Sequence, residues 1–340
     1  MTKTAYPEYH KALLDQSHYP AATRRIKFEE TRSSYLYKTG GHVYKIRKPG
    51  PHYSSLAVKE AYVSDALRQG QRWAPEVAEA LVPVLRTASG YAFEGEGTPV
   101  DFALRMKQLP PHYFVNELAA AGKFTPAVVA RVARFLAELH AADPLPDAQA
   151  AHAGRPEHFR DLFEEVAYQV KKYVGMALSE AVYDMIRRPV EHFVDNERKL
   201  FLRRMKRHRI VEGHGAFAPE HVHVKAKEVA ALSPLEGMAK FRQLDAAADV
   251  ASFCNGLHQA GAVEPEAVFV KRYMSAAKDR DLDRMLPVYE VLQAMRAGLE
   301  LCERRVELAG DPARQLELAH EAHDQFNLAV QRAREVPKPE

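Results

Sequence analysis

Only two cysteines, Cys254 and Cys302, occur in 340 residues. They are too few for a disulfide framework or a cysteine-based zinc site, and they read as buried thiols in a reducing compartment. Charge of one sign is also lacking. The 48 basic and 45 acidic side chains leave a formal +3, which exerts no strong pull toward nucleic acid or an anionic membrane. No run approaches the roughly 18 apolar residues of a membrane span, and the start, MTKTAYPEYHKALL, has no apolar export core. A cytoplasmic protein with no nucleic-acid and no membrane partner is expected. The sequence has no repeat of fixed period, no low-complexity tract and no GxxxxGK(S/T) phosphate loop.

What is present is an ordinary soluble composition, 46% hydrophobic and 27% charged, in a chain long enough for two lobes with ample core. Residues 1–22 are polar, carry Pro7 and Pro20, and read as an N-terminal arm. Residues 23–110 are strand-rich and are expected to form a five-stranded sheet plus one helix. RRIKFEE, SSYLYKT and HVYKIRK are separated by short turns, with Gly40-Gly41 as a hairpin signal. A helix is expected from Ser55 to Gln69, with Leu56, Val63 and Leu67 on its apolar face. Strands near Ala80–Leu85 and Tyr91–Phe93 then lead to Asp101–Leu109, where Pro110-Pro111 break the run.

Residues 111–335 read as helical. Thr125 can cap a helix that Pro126 opens, and Val129, Val132, Phe135, Leu136 and Leu139 recur with the spacing of one helix face. Residues 142–156 are rich in Ala, Pro and Gly and read as a loop. Glu157–His208 reads as two or three amphipathic helices; Asp245–Gln259, Glu266–Ala277 and Asp281–Arg334 are helical again, and 336–340 form a tail. Between these helices, residues 211–236 have the pattern of a loop feeding a hairpin. The basic run Lys199–Arg209 has Leu200, Leu202 and Met205 interleaved, as on the solvated side of a helix, and no groove-reading motif accompanies it.

Two stretches carry a resemblance. One is YKIRKP, Tyr44 to Pro49, with Lys45 in mid-strand. The other is the ungapped stretch from His214 to Asp249, HGAFAPEHVHVKAKEVAALSPLEGMAKFRQLDAAAD. Together they resemble the aminoglycoside phosphotransferase-like branch of the protein kinase fold, over roughly residues 27–308. The implied fold class is α+β: a bilobal kinase-like fold with a small antiparallel-sheet N-lobe and a large helical C-lobe. Many family members carry a further P-loop domain, so this chain is expected to be the stand-alone form.

The resemblance implies roles. Lys45 would pair with nucleotide phosphates and with an acid of the following helix, Glu60 or Asp65, of which the spacing favours Glu60. The turn holding Ser33 and Ser34 stands where phosphates would be covered. Main-chain groups from Met106 to Gln108, in FALRMKQL, would face an adenine, so ATP or GTP is the implied cofactor. His214 would be architectural, and Asp249 would accept hydrogen bonds from the loop backbone.

The reagents of the family are missing. Where the family has a catalytic Asp, an Asn five residues later and a metal-binding Asp, this chain has Ala216, His221 and Ser233. Ala216 cannot orient a hydroxyl, and neither Ser233 nor His221 suits a hard cation, so Mg2+ binding is doubtful. Glu236 and Asp245 are candidates for a displaced metal site. His221 and His223, with His214, are candidates for a transition-metal site. Glu212 and Glu220 are the other carboxylates near the loop. Three functions fit: a pseudokinase acting as regulator or scaffold for a protein partner, an ATP-dependent small-molecule phosphotransferase with a rearranged site, or a non-catalytic small-molecule-binding protein. A homo-oligomer is compatible with each.

Overall fold

The structure, a computed structural model, describes residues 6–19, 25–50, 53–142, 144–308 and 310–338. Residues 1–5 and 20–22 of the expected arm, 23 and 24 of the expected sheet region, and 339 and 340 of the expected tail lie outside the described residues. Backbone packing divides the chain into two units, residues 1–114 with 221–237 and residues 115–220 with 238–340. The hairpin expected in the helical lobe therefore groups with the sheet.

In the first unit, β1 (Lys27–Glu30), β2 (Ser34–Lys38), β3 (His42–Arg47), β4 (Ala78–Thr87), β5 (Gly90–Ala92) and β6 (Thr98–Lys107) form one antiparallel sheet. Its order is β1-β2-β3-β6-β4-β5, six strands where five were expected. The two faces follow from alternation. Phe102, Leu104 and Met106 pack on Val63, Ala66 and Leu67 of helix α1 (Leu56–Trp73), while Ala103 points the other way with Tyr44, Ile46 and Val84. Lys45, between Tyr44 and Ile46 and opposite Leu104 in register, is thereby on the α1 side.

Ser55 caps α1, accepting from the Val58 N–H at 3.3 Å. The helix runs past Gln69 to Trp73 because Gly70 is a close-packing residue and not a stop. A Cβ there would lie 2.7 Å from the Ala78 Cβ. On the opposite face, residues 6–19 send Tyr9, Leu13 and Tyr19 into the core, which corrects the reading of that segment as an arm. Tyr9 and Leu13, in the first two of three short 3-10 turns, and Tyr19, just after the third, are buried in one cluster with Tyr35, Tyr37, Tyr44 and Phe93. Buried Asp101 accepts from the Tyr9 hydroxyl at 2.9 Å and the Lys59 ammonium at 2.8 Å.

The second unit is built from α2 (Val115–Ala120), α3 (Pro126–Ala142), α4 (Asp147–Ala153), α5 (Pro156–Lys171), α6 (Glu180–Asn196) and α7 (Arg198–Lys206). Strand β7 (Ile210–Glu212) follows. In the first unit, β8 (Val222–Lys225) and β9 (Glu228–Ala231) form the hairpin. The second unit resumes with β10 (Gln243–Asp245), α8 (Ala247–Gln259), α9 (Val263–Ala277), α10 (Leu282–Glu307) and α11 (Pro312–Glu335).

Two expectations are corrected here. Helix α4 lies inside the stretch read as a loop, because DAQAAHA is alanine-rich between Pro146 and Gly154. The expected helix from Asp245 begins at Ala247 instead, since Gln243–Asp245 pair with β7. Both cysteines are buried and free. Among the described residues, no helix is long and apolar enough to cross a membrane.

Candidate functional site

In the helical unit the loop from Gly213 to Glu220 is tied to α8 by one carboxylate. Asp249 accepts from the His214 N–H at 2.6 Å and the Gly215 N–H at 2.8 Å, and the His140 Nε2 lies 3.1 Å from its Oδ2. The other ring nitrogen of His140 meets the Tyr273 hydroxyl at 2.7 Å. Burial would push the Asp249 carboxyl up. The hydrogen bond and charge of His140, the charge of His214 and the His214 N–H outweigh it and hold the group below its usual range.

Only glycine fits beside this carboxylate. A Cβ on Gly213 would lie 2.7 Å from Asp249 Oδ2, and Gly215 has φ +75°. Phe217 is buried edge-on to His214 at 5.7 Å, and Pro219 packs on Gly256 of α8. The loop is held at both ends, with half-buried Ala216 in its middle.

The neighbouring acids of this unit are engaged. Glu212 receives Arg242 Nε and Gln243 Nε2, each at 2.9 Å. Asp245, a candidate metal ligand, takes a fork from buried Arg204 at 2.5 and 2.7 Å and accepts from the Ala247 N–H at 2.9 Å. Arg204 also holds Asp279 with two bonds of 2.9 Å. Asp245 is thus a structural anion, a correction to its reading as a metal ligand. Glu220 is exposed.

In the sheet unit Lys45 does not meet Glu60, which is exposed, and Asp65 pairs with Arg68. The Lys45 ammonium instead donates to Glu236 Oε1 at 2.7 Å, and the Tyr62 hydroxyl donates to Glu236 Oε2 at 3.0 Å. Arg47 donates to the Tyr62 hydroxyl, and its guanidinium lies 4.2 Å above the Tyr62 ring centre. Burial, then the charge of Glu236, raises the Tyr62 phenol above its usual range. Glu236 is therefore the partner of Lys45 and not a free metal ligand. Ser233 is exposed with φ +57°, a backbone conformation that asparagine and aspartate accept more readily than serine.

Three further expected site segments have their surroundings in the structure. The N–H groups of Lys107 and Gln108 donate to Val77 O and Gly41 O, each at 2.9 Å, and Met106 lies between β3 and β4. Those two N–H groups are thus taken by backbone carbonyls, and Pro110 and Pro111 carry no N–H. In the serine turn, the Ser34 N–H donates to Thr31 Oγ1 at 3.0 Å and the Ser34 side chain is buried, while Ser33 is exposed. His221 ends a 3-10 turn and not a strand, its carbonyl accepting from the Leu232 N–H at 2.8 Å, and His223 is buried in β8. Among the described residues, the grouping that can hold a metal ion is Cys254, Glu266 and Glu290; sequence reasoning named Cys254 only as a buried thiol and did not single out the two glutamates.

Sequence reasoning also missed His140, Tyr62 and Arg204. His140 left a signal: it stands four residues after Leu136 on the apolar face of α3, where a polar side chain has to find a buried partner. Arg204 sat within a basic run that reads as solvated, and Tyr62 left none.

A sheet with one packed helix and a helical unit carrying a carboxylate-anchored His-Gly loop define a bilobal protein kinase-like fold. Solved structures of choline/ethanolamine kinases and aminoglycoside phosphotransferases share it over nearly the whole chain. A provisionally named aminoglycoside phosphotransferase from Ralstonia eutropha is 16% identical, with 94% of this chain and 95% of that one covered and a TM-score of 0.54. A choline/ethanolamine kinase family protein from Mesorhizobium loti is 10% identical, with coverage of 96% and 99% and a TM-score of 0.53. An amicoumacin kinase, solved with AMP-PNP, Ca2+ and Ami, is 13% identical, with coverage of 93% and 91% and a TM-score of 0.52. No family model matches the sequence, and no curated protein matches it.

Proposed function

We propose that this chain is a kinase-fold protein that has lost phosphoryl transfer and acts by binding, as a regulator or scaffold for a protein partner in the cytoplasm. In this reading it holds a nucleotide through the phosphates at Lys45. The observation that carries it is the His214 loop: its anchoring is complete, yet Ala216 stands in its middle. The buried acids nearby, Glu212, Asp245 and Asp249, are all spent on structure. Phosphoryl transfer needs a carboxylate to orient the attacking hydroxyl and oxygen ligands for magnesium. The amicoumacin kinase solved with AMP-PNP and Ca2+ supports a nucleotide in this fold. The occupied N–H groups of Lys107 and Gln108 favour binding led by phosphates, with little choice between adenine and guanine.

The test is a thermal-shift titration with ATP and GTP, with and without Mg2+ or Mn2+, on the wild type and Lys45→Ala, alongside a phosphate-release assay. A nucleotide at about 100 times its dissociation constant adds roughly 2.7 kcal/mol, which for a chain of this size is a shift of several °C. The expected outcome is a metal-independent shift, alike for ATP and GTP, lost in Lys45→Ala, with no phosphate release. Metal-dependent turnover would replace this reading with a phosphotransferase whose acid is Glu220 or Glu236. No shift at all would leave a scaffold without nucleotide.

A further inference from the structure

Three helices of the helical unit bring sulfur, nitrogen and oxygen donors to one place. Cys254 and His258 stand one turn apart on α8, which puts them on the same face. Glu266 comes from α9 and Glu290 from α10. Cys254, Glu266 and Glu290 are each more than nine-tenths buried, and one donor atom from each lies within 4.8 Å of the others. The His258 Nδ1 is 4.0 Å from Glu266 Oε2.

The carboxylates of this cluster are not satisfied by what surrounds them. Arg332 of α11 donates to Glu266 Oε1, but the buried Glu266 Oε2 has no hydrogen bond among the described residues. Glu290 has Arg332 Nε at 3.7 Å, too far for a hydrogen bond. Buried polar atoms are nearly always partnered, so an oxygen left over among other donors of electron pairs asks for a cation. The donor types narrow that cation. Mg2+ and Ca2+ take oxygen ligands, whereas a thiolate and an imidazole beside two carboxylates make a four-ligand set that suits Zn2+. Donors around tetrahedral Zn2+ stand roughly 3.5 Å apart, so the buried three need to close by only about 1 Å. A thiolate and two carboxylates also balance a divalent ion together with Arg332, leaving no buried charge unpaired.

We propose that Cys254, His258, Glu266 and Glu290 form a zinc site that pins α8, α9 and α10 together, with Arg332 of α11 orienting Glu266 from outside. Four protein ligands leave no position for water, so the ion is structural and not catalytic. His258, 35% exposed, is the side by which the ion enters. The thiolate is the ligand, so binding sends the Cys254 proton to water. In the metal-free chain Arg332 is the cation that both carboxylates share. The site lies in the helical unit and does not depend on the nucleotide reading of Lys45.

The test uses the full chain, stripped of metal under reducing conditions and titrated with Zn2+ against a chromophoric chelator, and with Co2+ as a spectroscopic probe. The variants are Cys254→Ser, Glu290→Gln and His258→Ala, with Cys302→Ser as the control at the other buried cysteine. The expected result is one Zn2+ per chain. With Co2+, a thiolate-to-cobalt charge-transfer band should accompany the intense visible bands of four-coordination. The charge-transfer band should survive Cys302→Ser and vanish in Cys254→Ser. Outer-shell partners of a metal are already worth roughly 10–100-fold in affinity, so each ligand variant should bind Zn2+ at least about 100-fold more weakly. Absence of stoichiometric Zn2+ binding overturns the site, as does Co2+ bound without the thiolate band or a band that Cys254→Ser retains. Unchanged Zn2+ affinity in His258→Ala overturns the closed four-ligand arrangement. Should Cys254→Ser or Glu290→Gln not fold, the wild-type cobalt spectrum and His258→Ala, at the exposed side of the cluster, decide by the same criteria.

Discussion

Asp249 does for the His214 loop what a cap does for a helix end: it satisfies two consecutive backbone N–H groups. Because the carboxylate is buried and also meets His140, removing it leaves two donors and a histidine without their anion. Asp249→Ala should therefore cost about 3 kcal/mol or more in urea unfolding, within the range for breaking a buried charged network. A loss below about 1 kcal/mol would show that the loop is held by Phe217 and Pro219 alone. Residues of this kind differ in how far sequence exposes them. Asp249 and His214 belong to a contiguous pattern and were visible. Lys45 was visible as a buried-strand cation, but its partner was not. Glu236 lies 191 residues away, and helix spacing pointed to Glu60, which the roll of α1 leaves facing water.

Elements were more legible than the contacts between them. The apolar period of α3 gave its face, and Pro126 its start. Helix α1 was cut short because Gly70 looks like a terminator when only backbone entropy is weighed. Its close approach to Ala78 is a tertiary fact. Strand β10 was missed, with its last residue, Asp245, read as the start of a helix, because three residues carry no period. Helix α8 shows the same glycine logic in testable form. A Cβ on Gly256 would lie 2.3 Å from Pro219 Cδ, so Gly256→Ala has to push the His214 loop or the helix aside. Overpacking of this kind costs roughly 1–3 kcal/mol, against about 1 kcal/mol gained from helix propensity. A net loss of up to about 2 kcal/mol in chemical denaturation is expected. A stabilised variant would mean that Pro219 yields freely.

At the scale of the whole molecule, the helical unit joins four helices at one buried charged cluster. Cys254 of α8, Glu266 of α9 and Glu290 of α10 meet Arg332 of α11, which donates to Glu266 and lies 3.7 Å from Glu290. Burial pushes Glu290 up to about 7 against the pull of Arg332, with Glu266 and Glu335 adding to the rise. The unfolded chain releases this proton near pH 4.5, the ordinary glutamate value. The contribution to stability is therefore fully present below that pH and is lost as pH rises through about 7. The loss is on the order of 3 kcal/mol. Stability measured by urea unfolding should fall between about pH 4.5 and 7, and Glu290→Gln should flatten that fall. Parallel profiles for the two proteins would rule out Glu290 as its source.

The division of the chain also sets an order of events during synthesis. The sheet unit is closed by residues 221–237, which are made only after the first stretch of the helical unit, and Glu236 is among them. A nascent chain that has just delivered residue 114 carries Lys45 with no counter-ion and a sheet without its hairpin. At roughly 5–20 residues per second, the ribosome needs about 6–25 s more to supply them. For that interval the N-terminal part has all six strands of its sheet but neither the hairpin nor Glu236, and a chaperone that shields it has its window there.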